Sequence, residues 1–237
     1  MPGFGTLLNA LAIIFGGMLG IVFRSKLNAA LQENLVRAVA LCCLFIGIEG
    51  ALEQAMSIVD GGVRMQGTMM VLASFVIGTL VGSWLGIEAQ IVKFGQWLKH
   101  KTGSEADKQF VTAFVTTSLT VCIGAMAVVG AIEDGISHEY SILAAKSVMD
   151  CVFVMAFAAA LGKGCIFSAI PVAVFQGTMT FLATLIEPYL TPQAISNLSL
   201  VGSMMIFCVG VNIIWETKFR VADMLPALVV AVVWELF

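Results

Sequence analysis

The sequence predicts an all-α membrane protein, a polytopic bundle of about eight transmembrane helices. Of the 237 residues, 59% are hydrophobic and 11% are charged, whereas a typical soluble domain has about 25% charged residues. The mean hydropathy is +1.00, and the apolar runs approach the roughly 20 residues that a helix needs to cross the hydrocarbon core. A β-barrel would instead show alternating segments of about 10 residues. This composition excludes a soluble enzyme, and a net charge of −3 excludes a nucleic-acid binder.

The apolar runs divide residues 1–237, taken as a single integral membrane domain, into successive spans. They are predicted at 4–23, 35–54, 68–87, 110–132, 141–162, 165–186, 196–215 and 221–236. Residues 88–109 are the one substantial connector outside the membrane. Its apolar side chains recur at helical spacing, at Ile87, Ile91, Phe94 and Leu98. This period predicts a helix lying in the cytoplasmic membrane interface, with an ordinary solvated loop as the alternative.

Positive charge predicts the orientation, because cytoplasmic loops of membrane proteins carry an excess of Lys and Arg. With eight alternating spans, one side receives nine basic residues: Arg24, Lys26, Lys93, Lys99, Lys101, Lys108, Lys163, Lys218 and Arg220. The other side receives Arg64 alone. We therefore expect the connector to be cytoplasmic and both termini to face outward. The N-terminus lacks the basic region of a cleaved signal, so the first span should be retained.

Two stretches of sequence recur at a nearly constant distance along the chain. The segment QGTM at 66–69 returns 110 residues later at 176–179, and Gly16 and Gly124 are 108 residues apart. Because three spans separate the copies, the second copy enters the membrane from the opposite face. The spacing predicts an inverted repeat of spans 1–3 and 4–6, followed by two further spans. Many secondary transporters have this architecture.

Glycines in the third span are predicted to mediate close helix packing. Gly78, Gly82 and Gly86 form two overlapping GxxxG steps, which let helix backbones approach each other in a bilayer. Packing within the chain is the favoured interpretation, and a dimer interface is the alternative.

Other glycines and prolines are expected to shape their helices. Gly16, Gly17 and Gly124 either serve packing or break their helices at matched positions in the two halves. Pro171 and Pro226 are expected to kink the sixth and eighth spans.

Charged residues at membrane depth are the sharpest local signal. Asp150 lies near the middle of the fifth span and Lys146 one turn before it, so both lie on one face and can pair. Either charge alone would cost about 2.5–3.5 kcal/mol at the centre of a helix. The pair is interpreted as a proton or cation relay or a solute anchor, with a structural ion pair as the alternative. Further candidates for a polar path, any of which could instead reach water or join helices, are Glu49, Asn9, Gln66, Gln176 and Asn212.

Two further sets of residues bear on function: the threonines of the fourth span, and the histidines and cysteines. Thr112, Thr116 and Thr120 form a stripe on the fourth span that either lines a pore or bonds to its own helix. The two histidines lie in connectors on opposite sides, and the six cysteines lie inside spans without CxxC spacing. We therefore expect no catalytic residues, no metal ligands and no cofactor, and the chain is predicted not to be an enzyme.

A set of motifs spread over the whole chain carries a family resemblance. The set comprises Met1–Thr6 with Asn9 and Gly16–Gly17, Gly124–Met126, Asp134–Gly135, Lys146–Asp150, Gln176–Gly177, Gly210–Asn212, Arg220–Ala222 and Leu225–Leu228. In these motifs the chain resembles the YdfK/YqgA-type family of uncharacterised bacterial inner-membrane proteins. The resemblance implies an integral inner-membrane location and brings no established substrate or reaction.

The leading hypothesis is a secondary transporter of a small polar or charged solute, with coupling to H⁺ or Na⁺ as an option. Its expected partners are the lipid bilayer and an unknown small solute, with a homo-oligomer as an option and nucleic acid excluded. The alternatives are a non-transporting membrane scaffold or sensor and a passive channel.

Overall fold

The computed structural model describes residues 3–59, 62–187, 190–215 and 219–236, and these residues are mainly helical. Lys218, which contributes to the predicted charge balance, lies outside the described residues. The α-helices are α1 Phe4–Arg24, α2 Ala29–Ala55, α3 Thr68–Leu85, α4 Ile87–Lys101, α5 Phe110–Cys122, α6 Ala125–Ile136, α7 Ser141–Leu161, α8 Ala169–Phe181, α9 Ala183–Ile186, α10 Pro192–Trp215 and α11 Pro226–Val233. Short 3₁₀ turns occupy Lys163–Ser168, Val221–Met224 and Trp234–Leu236. Strands β1 Met56–Val59 and β2 Gly62–Met65, which the sequence did not predict, form an antiparallel pair.

The all-α bundle predicted from composition is confirmed. Within the described residues, six helical segments are long and apolar enough to cross a membrane: α1, α2, α3, α7, the segment Lys163–Phe181 and α10. Helices α5 and α6 supply a seventh if they are taken as one span with a 62° bend. The last apolar segment, Val221–Val233, is shorter. The count of eight spans therefore stays a prediction.

Helix α1 packs along α7 over most of its length, and the two run parallel. Near one end Gly5 lies against Leu143, and near the other Gly20 lies against Ala158. Because a glycine has no side chain, it lets the backbones come close enough for dense contact. In the scheme of eight alternating spans, these helices are the first and the fifth, so their parallel directions agree with that scheme.

Helices α2 and α3 also pack on late elements of the chain, and in both cases the partners run antiparallel. Gly47 of α2 lies against Phe207 of α10. Gly78 and Gly82 of α3 lie against Ala227 and Asp223, in α11 and the turn before it. The GxxxG face of the third span is therefore buried within the chain, and Gly86 ends α3 with a positive φ of 63°.

The interpretation that Gly16 and Gly17 break the first helix is wrong, because α1 is continuous from Phe4 to Arg24. Both glycines serve packing instead. A Cβ on Gly16 would collide with the backbone carbonyl of Cys151, and a Cβ on Gly17 would lie 2.6 Å from the Ile166 side chain. Gly124 does lie at a break, between α5 and α6, with a φ of 149°.

The two prolines begin helices and do not kink them. Pro226 is the first residue of α11 and Pro171 lies in the first turn of α8, and each helix follows a 3₁₀ turn. The first-turn N–H groups of a helix have no intrahelical partner, so a residue without an N–H is tolerated there. The predicted kinks are thus replaced by transitions from 3₁₀ to α-helix.

Candidate functional site

Four of the predicted site residues meet between α1, α7 and α8. Lys146 Nζ donates to both carboxylate oxygens of Asp150, at 2.8 Å each. Asn9 Nδ2 donates to Asp150 Oδ2 at 3.0 Å and to Gln176 Oε1 at 3.3 Å. A continuous polar network therefore joins three helices that are far apart in the sequence.

This network is shielded from the surroundings of the bundle. The exposed fraction is 0% for Asn9 and Gln176, 3% for Asp150 and 7% for Lys146. A charge buried in this way needs a paired and hydrogen-bonded partner, because its hydration is lost. The Asp150 carboxylate has both, since it accepts from the Lys146 ammonium and from the Asn9 amide. The Lys146 side chain stays inside the protein and does not extend to the membrane surface.

Two polar atoms of the network have no hydrogen-bond partner although they are buried. They are Asn9 Oδ1, an acceptor, and Gln176 Nε2, a donor. The hydroxyls of Thr6 and Thr180, about one turn away on the same two helices, also have no partner. Buried polar groups in native proteins are nearly always bonded to protein or to ordered water. These atoms therefore mark a place where water or a ligand can bind.

The other predicted path residues do not join this network. The side chains of Glu49, on α2, and Gln66, two residues before α3, are exposed. Asn212, near the end of α10, donates from Nδ2 to the Phe219 carbonyl at 2.8 Å and accepts from the Phe219 N–H at 3.0 Å. Its amide thus links α10 to the chain before α11.

The break between α5 and α6 lies among the helices that carry the network. Helix α5, which ends at Cys122, packs against α7 and α8, and α6 packs against α1, α7 and α8. Non-helical backbone at membrane depth is tolerated only where it is buried in protein or lines a water-filled cavity. The broken helix therefore places irregular backbone between two helices that pack on the elements of the network.

A cleft of about 640 Å³ opens at the end of the bundle that carries α4. Thr112 and Thr116, from the predicted hydroxyl stripe, line it together with Glu88 and Arg220. The third hydroxyl, that of Thr120, donates to the Thr116 carbonyl at 2.9 Å. Two of the three hydroxyls are therefore part of a cleft wall.

A pair of reciprocal bonds holds α4 at the rim of this cleft. The Ala222 N–H donates to Glu88 Oε2 at 2.9 Å, and the Glu88 N–H donates to Asp223 Oδ1 at 2.8 Å. Burial raises the pKa of the Glu88 carboxyl above its ordinary value, and the bond from Ala222 opposes this shift. The 3₁₀ turn before α11 is thereby fixed to the start of the connector.

Sequence reasoning did not identify Asp134 as a site residue. Its side chain is 0% exposed. Its Oδ2 accepts from the Gly5 N–H at 3.2 Å, and its Oδ1 has no partner. In the sequence Asp134 follows the fourth predicted span, where an acidic residue is expected to be solvated. Its burial depends on the packing of α6 against helices distant in the sequence, the start of α1 among them, and no local pattern indicates these contacts.

Comparison with known proteins gives a family match over nearly the whole chain. Residues 4–236 match the model of the family described as "Protein of unknown function (DUF554)". The chain is 29% identical to "Uncharacterized protein YqgA" of Escherichia coli (strain K12) over 231 residues, which cover 96% of this chain and 94% of the relative. It is 23% identical to "Uncharacterized membrane protein YdfK" of Bacillus subtilis (strain 168) over 227 residues, covering 96% and 93%. No solved structure matches it.

Proposed function

We propose that this chain, which belongs to the DUF554 family, is a secondary transporter of a small polar or charged solute. One observation carries the proposal: a buried ion pair is bonded to Asn9, which is bonded in turn to Gln176, and these two amides still offer one unpartnered acceptor and one unpartnered donor. Ionisable groups inside a membrane are expensive and mark substrate or ion pathways in many membrane proteins. We place the protein in the bacterial inner membrane, with both termini outside and α4 in the cytoplasmic interface.

In this proposal Asp150 is the carboxylate that couples or anchors the solute. Its charge is held by Lys146, at 2.8 Å from both of its oxygens. Protonation of Asp150 would release the Lys146 ammonium to bind an anionic group, and deprotonation would restore the pair. Asn9 and Gln176 would orient the solute with the amide acceptor and donor that have no partner in the protein.

The surroundings of the pair support transport. In many transporters, discontinuous helices form the solute site near the middle of the membrane. Here the break at Gly124 separates α5 from α6, and both helices pack on α7 and α8, which carry the network. The cleft of about 640 Å³ would be the cytoplasmic vestibule, in which Thr112 and Thr116 offer hydroxyls.

The inverted repeat remains part of the proposal on the strength of the sequence spacing. In an inverted repeat, α1 corresponds to α5 and α6, and α2 corresponds to α7. The contact of α1 with α7 would therefore have a counterpart between α2 and the α5–α6 pair, whereas in the structure α2 packs mainly along α10. Superposing α1–α3 on α5–α8, by a rotation of about 180° around an axis in the membrane plane, tests the repeat. Gln66 should then lie near Gln176, and unrelated helix order or tilt would refute the repeat.

The scaffold alternative has less support than the sequence suggested. Its main argument is the set of GxxxG faces available to partner proteins. Gly78 and Gly82 are in contact with Ala227 and Asp223 of the same chain. A partner helix would have to displace these contacts.

A ligand screen followed by uptake tests the proposal. Purified protein is heated with single amino acids, carboxylates, sugars or inorganic ions, because a ligand that binds only the folded state raises its melting temperature. Liposomes containing the protein are then assayed for uptake of each stabilising compound, with and without a gradient of H⁺ or Na⁺. We expect at least one stabilising compound to accumulate. Protein that is folded but neither binds nor moves any compound of the panel would contradict the proposal.

Substitutions of the network residues test whether the network carries the uptake activity. Asp150→Asn keeps the size of the side chain and removes its charge, so uptake should be lost while the protein remains folded. If this variant unfolds, the double variant Lys146→Met/Asp150→Asn removes both charges together and should also lack uptake. Glu49→Gln is the matched control, because Glu49 is exposed on α2. Uptake that survives in both network variants would exclude Asp150 from the mechanism.

A further inference from the structure

We infer that the junction of α1, α6 and α8 holds a site for a monovalent cation of the size of Na⁺, with Asp134 as its carboxylate ligand. The other ligands are oxygens of Thr6, Asn9 and Thr180. In naming this cation as a coupling ion, the inference rests on the proposed transport function. The binding site itself rests on the packing of these side chains.

The Asp134 carboxyl group has no basic partner among the residues that the structure describes. Its carboxylate is fully buried and accepts a single bond, from the Gly5 N–H. Within the part of the chain that the structure describes, it takes part in no ion pair. The nearby His138 ring contacts the Asp134 backbone carbonyl, at 3.4 Å. An isolated buried carboxylate is strongly disfavoured, so it needs a proton or a bound cation.

Three further unpartnered oxygens belong to the helices that pack around this carboxylate. Thr6 Oγ1 and Asn9 Oδ1 lie about one turn apart on α1, and Thr180 Oγ1 is on α8. Each of these atoms is buried and has no hydrogen-bond partner, as is Asp134 Oδ1. Four oxygen atoms are thus available where three helices meet.

Direct contacts hold the three helices around this place. The bond from Gly5 to Asp134 fixes α1 to α6, and the bond from Asn9 to Gln176 fixes α1 to α8. On the third side Gly135 lies against the backbone of Thr180, which fixes α6 to α8. The unpartnered oxygens belong to these same residues or to their neighbours along each helix.

The donor set selects the class of cation. Carboxylate, amide and hydroxyl oxygens are hard ligands that suit alkali and alkaline-earth ions. One carboxylate supplies a single negative charge, which a monovalent cation neutralises, whereas Ca²⁺ sites usually contain several carboxylates. Within the described residues no group of three or more His, Cys, Asp or Glu could hold a metal ion. The site is therefore not that of a zinc-like metal.

Asn9 connects the cation site to the ion pair. Its Oδ1 is one of the proposed ligands, and its Nδ2 donates to Asp150 at 3.0 Å. A cation on one side of this amide polarises it, which strengthens the bond that the other side donates to Asp150. Binding of the cation is thereby linked to the residue that we propose as the coupling carboxylate.

Thermal unfolding of the full chain in detergent tests the site without any transport assay. Melts are recorded in NaCl, KCl and choline chloride at equal ionic strength and pH. We expect Na⁺ to raise the melting temperature of the wild type saturably, by about 3 °C or more over choline. Asp134→Asn and Thr6→Val should lose this response. Glu133→Gln, which changes the neighbouring carboxylate on α6, is the matched control and should keep it.

The melts in choline distinguish two roles of Asp134, that of a cation ligand and that of a cap for α1. Asp134→Asn removes an unpaired buried charge, so without Na⁺ it should melt at or above the wild type. A variant that melts lower by the same amount in every salt would show that Asp134 only caps α1, and would overturn the inference.

Two further outcomes would refute the site. One is a wild type insensitive to Na⁺. The other is a wild type that responds to pH alone, which would show that a proton neutralises Asp134. The melts in each salt are therefore repeated over a series of pH values. The titratable side chains whose effects this series must separate are Glu133, His138, Glu139 and Tyr140 near Asp134, and Lys146 and Asp150 next to Asn9. Solute uptake independent of Na⁺ would refute the coupling ion but leave the transport proposal standing. A melting temperature that depends on Na⁺ in a protein without uptake would refute the transport proposal but leave the cation site standing.

Discussion

The contact between α1 and α7 can be tested with a pair of glycine substitutions. Gly16→Ala places a Cβ about 3.0 Å from the Cα and carbonyl carbon of Cys151, and closer still to its carbonyl oxygen. These are backbone atoms and cannot rotate away, so the two helices must separate. Gly177→Ala is the matched control, because its Cβ would meet no atom within 4 Å and its backbone is helical.

The comparison isolates the cost of the collision. Replacing a helical glycine by alanine stabilises the helix by roughly 0.5–1 kcal/mol in both variants, so this gain cancels. Overpacking typically costs about 1–3 kcal/mol. For a chain of this size, each kcal/mol shifts the melting temperature by roughly 2–4 °C. We therefore expect Gly16→Ala to melt about 2–12 °C below Gly177→Ala.

Thermal unfolding followed by tryptophan fluorescence measures this difference. Separation of α1 from α7 should also lengthen the bond between Asn9 and Asp150, which is 3.0 Å in the wild type. Gly16→Ala should therefore weaken any ligand response that Gly177→Ala retains. If the two variants melt together, or if Gly16→Ala is the more stable, close backbone contact between α1 and α7 is refuted.

Three further predictions concern the pair, the connector and the orientation. Asp150→Asn should melt within a few degrees of wild type, because an amide still accepts from Lys146. Since breaking a buried pair typically costs about 3–5 kcal/mol, a large loss of stability that adding Lys146→Met restores would show that the pair stabilises the fold, and uptake that survives in the double variant would then show that the pair is only structural. Burial raises the pKa of Glu88 above its ordinary 4.5, so the stability that its neutral form contributes is complete below pH 4.5 and is lost as the pH rises through the raised pKa. Melts across this range should therefore show a flatter pH dependence for Glu88→Gln than for wild type. In intact cells that express the protein with its native cysteines replaced, a membrane-impermeant thiol reagent should label Ser137→Cys but not Ser104→Cys. The reverse labelling would contradict the predicted orientation.

Local periodicity explains which parts of the site could be predicted. Lys146 and Asp150 are four residues apart on one helix, so their pairing follows from helix geometry alone. Asn9 and Gln176 could be chosen as polar residues inside apolar spans. Their meeting at Asp150 depends on how α1 and α8 pack on α7, which no pattern in the sequence specifies.

Glycine shows why other predictions failed. The same residue permits both a helix break and a close helix contact, so the sequence could not decide between them for Gly16 and Gly124. The structure assigns packing to Gly16 and the break to Gly124. Asp134 was missed for a related reason, because an acidic residue at the end of a span becomes buried only when a distant helix covers it.

The pairing of early helices with late ones determines when this protein can assemble. The main partners of α1, α2 and α3 are α7, α10 and α11, so none of these contacts forms between neighbours along the chain. A nascent chain that ends after α6 contains the first three helices without their principal partners. Asn9 would then enter the membrane before its partner Asp150 is synthesised. Stable packing is therefore a late and cooperative event in biosynthesis, and loss of the last two helices should release α2 and α3 together.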